Sequence, residues 1–160
     1  MYKTKIDLAE KTRRNVIVIL NDRLAEAIDL QSQVKQAHWN VKGPNFIALH
    51  ELFDKISDVL LEQVDEIAER VTSLGGTAEG TVAVAAKRSK LKNYPLSITA
   101  VKDHLFYLST QVAAFGKAVR AAITDTDDLG DADTADLFTG ISRDLDKYLW
   151  FLEAHLQDKG

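Results

Sequence analysis

At 160 residues the chain is long enough to bury the core of one domain and too short for two ordinary ones, so a single domain over residues 1–160 is expected. A content of 46% apolar and 28% charged residues is that of a soluble globular protein, and the absence of cysteine excludes disulfides and thiolate metal sites. The net charge of −4 argues against a nucleic-acid binder that uses its whole surface.

The N-terminal stretch MYKTKIDLAEKTRRN has no apolar core of a secretory signal, and the longest apolar run, residues 16–20, is far too short to cross a bilayer. No membrane association is expected, and a reducing cytoplasm fits the lack of cysteine. Residues 1–6 read as a short N-terminal tail.

Four long segments then carry helical periodicity. The first spans about residues 7–39, with Asp7 and Glu10 spaced as a capping box. The second follows Gly43-Pro44 and runs to a glycine stop at Gly75-Gly76. Ile47, Leu49, Leu52, Phe53, Ile56, Val59, Leu60, Val64, Ile67 and Val71 give it a wide apolar stripe. The third opens at Ser97, a good N-cap after Pro95, and carries Ile98, Val101, Leu105, Leu108, Val112, Phe115, Val119 and Ala122. The fourth begins near residues 131–134 and holds Leu137, Phe138, Ile141, Leu145, Tyr148, Leu149, Leu152 and Leu156, with Trp150 expected in the core.

About twenty residues, 75–96, connect the second segment to the third. Two antiparallel neighbours need only a short loop, so this length predicts a crossover along the flank of the bundle and parallel second and third helices. Residues 81–86 are expected to form a short extra helix within it. The fold class that follows is all-α: a ferritin-like four-helix bundle with one long crossover.

On the second helix His50 and Asp54 are four residues apart and share a face, as do Asp65 and Glu69. At 100° per residue, Asp54, Asp65 and Glu69 fall within roughly 60° of one another. A hairpin at Gly43-Pro44 would bring His38 to the height of His50. Imidazole with carboxylate suits iron or another divalent first-row ion. No Glu-x-x-His occurs in the chain, which excludes the usual intrasubunit di-iron site, and there is no His-Glu-x-x-His zinc motif.

Helix rise decides how these residues can cooperate. The pairs His50/Asp54 and Asp65/Glu69 are centred fifteen residues apart, roughly 22 Å along a helix axis, while bonds to such ions are about 2.0–2.2 Å. One chain cannot close both pairs on one ion. Two chains packed antiparallel through this helix, across a twofold axis near Leu60, would create two equivalent sites. On spacing alone a second reading stands: acidic residues on a solvated helix face, with two histidines making ordinary hydrogen bonds.

The run Lys35-Gln36-Ala37-His38-Trp39-Asn40-Val41-Lys42-Gly43-Pro44-Asn45-Phe46, followed by Leu49-His50-Glu51-Leu52-Phe53-Asp54, resembles the Dps family, the ferritin-like DNA-binding proteins from starved cells. The similarity continues through Asp65, Ile67-Ala68-Glu69-Arg70, Leu74-Gly75-Gly76, Tyr94-Pro95-Leu96 and Ser142-Arg143-Asp144-Leu145-Asp146-Lys147, with Leu149-Trp150-Phe151 beyond. The resemblance implies a homododecamer with a hollow, mineral-holding cavity. It implies ferroxidase sites at twofold interfaces, built from His38, His50 and Asp54 of one subunit and Asp65 and Glu69 of the other. Hydrogen peroxide is the implied preferred oxidant of ferrous iron, with protection of DNA as the consequence.

Trp39 resembles the family tryptophan beside the iron site, where it would intercept stray oxidising equivalents; an aromatic wedge in the hairpin core is the competing reading. Asp131 and Asp136, with Asp133 close by, fall where the family has acidic pores, although acids at a helix start also complement its dipole. For DNA, the first fourteen residues hold five basic side chains, Lys3, Lys5, Lys11, Arg13 and Arg14, against Asp7 and Glu10. Lys87, Arg88, Lys90 and Lys92 form a second basic run. Weak DNA contact is expected from patches this small. The competing functions are thus a ferroxidase and iron store, a nucleoid architectural protein, and a helical oligomer without metal chemistry.

Overall fold

The computed structural model describes residues 1–157; the last three residues of the domain expected over 1–160 lie outside the described residues. The described residues form five helices: α1 (Glu10–Asn40), α2 (Phe46–Ser73), α3 (Val82–Arg88), α4 (Val101–Asp128) and α5 (Ala132–Ala154). Among the described residues there is no strand, and one isolated bridge joins Lys42 to Ala100. That bridge places the start of α2 and the start of α4 at one end of the bundle. At the opposite end Thr12 reaches Leu129 O at 3.3 Å, and Arg70 reaches Asp131 at 2.7 Å. Helices α2 and α4 therefore run in parallel, as the length of the crossover requires.

The glycine stops follow from hydrogen-bond geometry. Gly75, at φ +87°, lets its own N–H reach Thr72 O (2.9 Å) and that of Gly76 reach Val71 O (2.9 Å), which closes the last turn of α2. Gly130, at φ +82°, does the same for α4: its N–H reaches Asp127 O (2.8 Å) and that of Asp131 reaches Thr126 O (3.0 Å).

Two helix starts differ from expectation. Helix α1 opens at Glu10 after Ala9, with no side-chain cap, so Asp7 and Glu10 do not form a capping box. Residues 7–8 are instead bent, and Leu8 O accepts from the Arg13 side chain at 3.2 Å. Helix α4 opens after Ala100. Ser97 lies inside a turn in which Ile98 N–H reaches Pro95 O at 3.4 Å, so the proline organises a turn before the helix rather than the helix itself.

The core holds Val16, Leu20, Leu24, Leu30 and Val34 from α1, with Leu49, Phe53, Ile56, Leu60, Ile67 and Val71 from α2. Leu105, Leu108, Val112, Phe115 and Val119 from α4 and Phe138, Ile141, Leu145 and Leu152 from α5 complete it. Trp150, expected inside, is 62% exposed, and Ile47 of the anticipated buried stripe is 62% exposed. Both side chains fall outside the arc that the neighbouring helices cover.

The crossover satisfies its backbone through buried amides on α1 and α4. Asn21 donates to Thr77 O (3.1 Å) and accepts from Glu79 N (2.9 Å). Gln33 donates to Lys92 O (3.0 Å), and Gln111 accepts from Lys92 N (3.0 Å). A connection of this length can lie against the bundle only with its polar groups paired in this way.

Candidate metal centre

The α1–α2 hairpin brings His38 and His50 face to face. Their ring centroids are 3.7 Å apart and the planes are inclined by 23°. Each Nδ1 lies against the other residue's main-chain carbonyl, at 2.8 Å for His38 to His50 O and 2.9 Å for His50 to His38 O. A carbonyl can only accept, so each Nδ1 carries the proton. In the neutral rings both Nε2 atoms then keep their lone pairs, the form in which imidazole binds a cation. His38 O is one of the carbonyls left without an intrahelical partner at the end of α1, which explains why this exchange costs α1 nothing.

Asp54 sits one turn beyond His50, with an oxygen 3.9 Å from His38 Nδ1 and a side chain 45% exposed. Its carboxylate is paired with Lys35 of α1. The Lys35 hydrogen bond and charge hold the Asp54 carboxyl below its ordinary range, so it is a carboxylate at neutral pH. Lys35 thus places a positive charge directly on Asp54. Spacing did not reveal Lys35, although its place three residues before His38 puts it on the same face of α1.

Asp65 and Glu69 are exposed and do not join this group. Helix α2 is unbroken from Phe46 to Ser73, so they stay roughly 22 Å away along a rigid rod. Among the described residues no three histidine or acidic side chains converge tightly enough to enclose an ion. The structure thus brings together His38, His50 and Asp54, and leaves Asp65 and Glu69 as a separate pair on the same helix. Between them Leu61 is 58% exposed, and Ile47 lies seven residues before Asp54 on that face. Leu61 and Ile47 thus leave exposed apolar surface along the face of α2 that carries these acidic residues.

Trp39 is 66% exposed and is not a wedge in the hairpin core. It lines an open cleft of about 410 Å³ with Gln36, Asn93, Tyr94 and Leu96.

The pore role expected for Asp131 does not fit its surroundings. Its side chain is 1% exposed and ion-paired with Arg70 at 2.7 Å. It also caps α5, accepting from Thr134 N (3.1 Å) and Thr134 Oγ1 (2.7 Å), while Arg70 Nε donates to Thr134 Oγ1 (2.8 Å). A carboxylate so fully engaged belongs to the α2–α5 junction and cannot line a channel. Asp133 and Asp136 are exposed.

The basic N-terminal segment is also less free than its composition implies. Arg13 is buried against Leu74 O (2.8 Å) and Leu8 O, and Arg14 bonds Glu10 at 2.9 Å. Tyr2 N–H donates to Gly75 O at 2.8 Å, where a Cβ on Gly75 would meet Tyr2 O at 2.4 Å. In the second basic run, Arg88 is paired with Asp22 at 2.6 Å and with Glu79. No helix among the described residues is long and apolar enough to cross a membrane.

The sequence model of the family described as "Ferritin-like domain" matches residues 17–159. The "DNA protection during starvation protein" of Agrobacterium fabrum is 51% identical over 99% of this chain and 98% of its own length. Among solved structures, Mycobacterium smegmatis Dps in its tetragonal form superposes with a TM-score of 0.94 at 32% identity, covering 100% of this chain and 96% of that one. DpsC from Streptomyces coelicolor superposes with a TM-score of 0.95 at 30% identity, covering 99% of this chain and 93% of that one.

Proposed function

Because the chain belongs to the Dps family of ferritin-like proteins, we propose that it oxidises ferrous iron at sites shared between two copies and stores the ferric product in a hollow dodecamer. Hydrogen peroxide is the preferred oxidant, and the work is done in the cytoplasm, where removing both ferrous iron and peroxide protects DNA. The observation that carries this reading is the reciprocal His38/His50 pair, whose Nδ1 protons are committed to backbone carbonyls while the metal-binding nitrogens stay free.

Iron is the substrate. His38, His50 and Asp54 of one subunit receive it, and Asp65 and Glu69 of the partner subunit complete the ligand set. Imidazoles hold the incoming ferrous ion, and hard carboxylates favour the ferric state that follows. Asp54 exchanges the Lys35 ammonium for the ion, so the local charge changes little as the site fills. Two ferrous ions give one electron each to one peroxide, which takes up two protons and leaves as two waters. A one-electron route would instead release hydroxyl radical. Exposed Asp136 and Asp133 at the start of α5 attract cations towards the shell inlet. Lys3, Lys5 and Lys11 are the N-terminal cations left after Arg13 and Arg14 are engaged, so DNA retention is a minor part of this reading.

The test is anaerobic ferrous loading of the assembled protein, then titration with peroxide and size analysis. Consumption of about two ferrous ions per peroxide is expected, by a particle of twelve subunits and without spin-trapped hydroxyl radical. Oxidation no faster than in protein-free buffer would refute the proposal.

A further inference from the structure

His104 has no part in the iron site, yet it is buried completely, with a relative exposure of 0%. Its Nδ1 is hydrogen-bonded to the Tyr94 hydroxyl. Its Nε2 is buried and has no partner among the described residues. The Tyr94 ring packs edge-on against Tyr107 at 4.9 Å, and Tyr107 donates its own hydroxyl to Lys92 O at 2.5 Å. Tyr107 is therefore tied to backbone, and Tyr94 alone faces a base. Tyr94 lines the same cleft as Trp39, which adjoins the ligand His38.

A phenol gives up an electron readily only if its proton can leave at the same moment, since the protonated radical is a strong acid. A neutral imidazole accepting from the hydroxyl supplies that route over one hydrogen bond. Burial holds His104 in its neutral form and holds Tyr94 as the phenol; in the tautomer with the ring proton on Nε2, the Tyr94 hydroxyl donates to Nδ1. A buried imidazolium is unfavourable, so a proton received by His104 returns once the phenoxyl is reduced.

We propose that Tyr94 and His104 form a redox-active pair that holds one oxidising equivalent from the iron site, passed through Trp39, until a second ferrous ion arrives. The inference rests on the ferroxidase reading above. It applies when peroxide meets a site holding a single ferrous ion. That ion supplies one electron and becomes ferric. Trp39 supplies the second electron, so the peroxide leaves as two waters after taking two protons. Tyr94 then re-reduces the indole radical. Its hydroxyl proton moves to His104 Nδ1, and the indole regains its proton from the open cleft. The next ferrous ion returns one electron to the Tyr94 phenoxyl, and His104 returns the proton. The sum is again two ferrous ions oxidised per peroxide. Tyr94 is the redox group here, and His104 is a positioning residue that receives its proton.

The experiment is freeze-quenched electron paramagnetic resonance on the assembled protein, loaded with one ferrous ion per site and mixed with peroxide. A tyrosyl radical is expected in the wild-type chain, with coupling to one exchangeable proton that disappears in deuterated buffer. In Tyr94→Phe the tyrosyl radical is lost and an indole radical persists in its place; in Tyr107→Phe the tyrosyl radical remains. A wild-type radical without an exchangeable proton, a tyrosyl radical that survives Tyr94→Phe, or normal iron oxidation with no tyrosyl radical would each overturn the inference alone. Absence of ferrous oxidation in the wild-type protein would overturn the ferroxidase reading instead.

Discussion

Replacing His50 and Asp54 together by alanine is expected to slow peroxide-driven ferrous oxidation at least about 100-fold. Loss of groups that merely orient a metal ligand already costs about 10–100-fold, and these two are the proposed ligands themselves. The change also removes the His50 bond to His38 O and the stacked ring beside it, so some structural cost is expected. A single hydrogen bond contributes about 0.5–1.5 kcal/mol, and Asp54, 45% exposed beside Lys35, adds little. The bundle should therefore still assemble, and stopped-flow absorbance of the ferric product, run beside size-exclusion chromatography, separates the two effects. An intact assembly that oxidises iron within threefold of the wild-type rate would contradict the assignment.

The second large effect concerns stability. Asp131→Ala is expected to cost about 3–5 kcal/mol, the usual penalty for stranding one half of a buried ion pair. Arg70 is only 17% exposed on its side chain and would keep its charge without a counterion. The same substitution removes the N-cap of α5, a loss typically of about 1 kcal/mol, which is contained in that range. Thr134 Oγ1 links both groups, so the α2–α5 junction loses its network rather than one bond. Asp136→Asn, at an exposed position, should change stability by less than about 0.5 kcal/mol. Urea unfolding at equal subunit concentration reads both, because assembly contributes to apparent stability. A loss below about 1 kcal/mol for Asp131→Ala would show that the pair is not structural.

The contrast between these two aspartates shows what the sequence makes legible. Both lie at the start of a helix, and composition treats them alike. Only the packing of α2 against α5 distinguishes the one that meets Arg70, sixty-one residues away in the chain. Long periodic stripes identified all four major helices and the length of the crossover revealed its parallel sense, because burial of a whole face is a collective signal. Helix starts were less legible: Asp7 and Ser97 carry good capping side chains, but a bend held by Arg13 and a turn set by Pro95 claim them first. The exposed position of Trp150 is not legible, and the two readings of Trp39 stay open, because an isolated aromatic residue does not state which face its neighbours leave open. At the site, helix rise alone separates His50/Asp54 from Asp65/Glu69. The reciprocal histidine bonds and the Lys35 pairing depend on the α1–α2 hairpin closing, and the Tyr94–His104 bond depends on where the crossover lies.

The claim on which the rest depends is that each iron site takes ligands from two chains. It is tested most directly by co-refolding equal amounts of two inactive variants, His50→Ala/Asp54→Ala and Asp65→Ala/Glu69→Ala, and measuring ferrous oxidation of the mixed assembly. Each mixed pair would contain one site with every ligand and one with neither half, so about one quarter of the wild-type activity should return. If every site lay within one chain, all sites in the mixture would remain damaged and no activity would return.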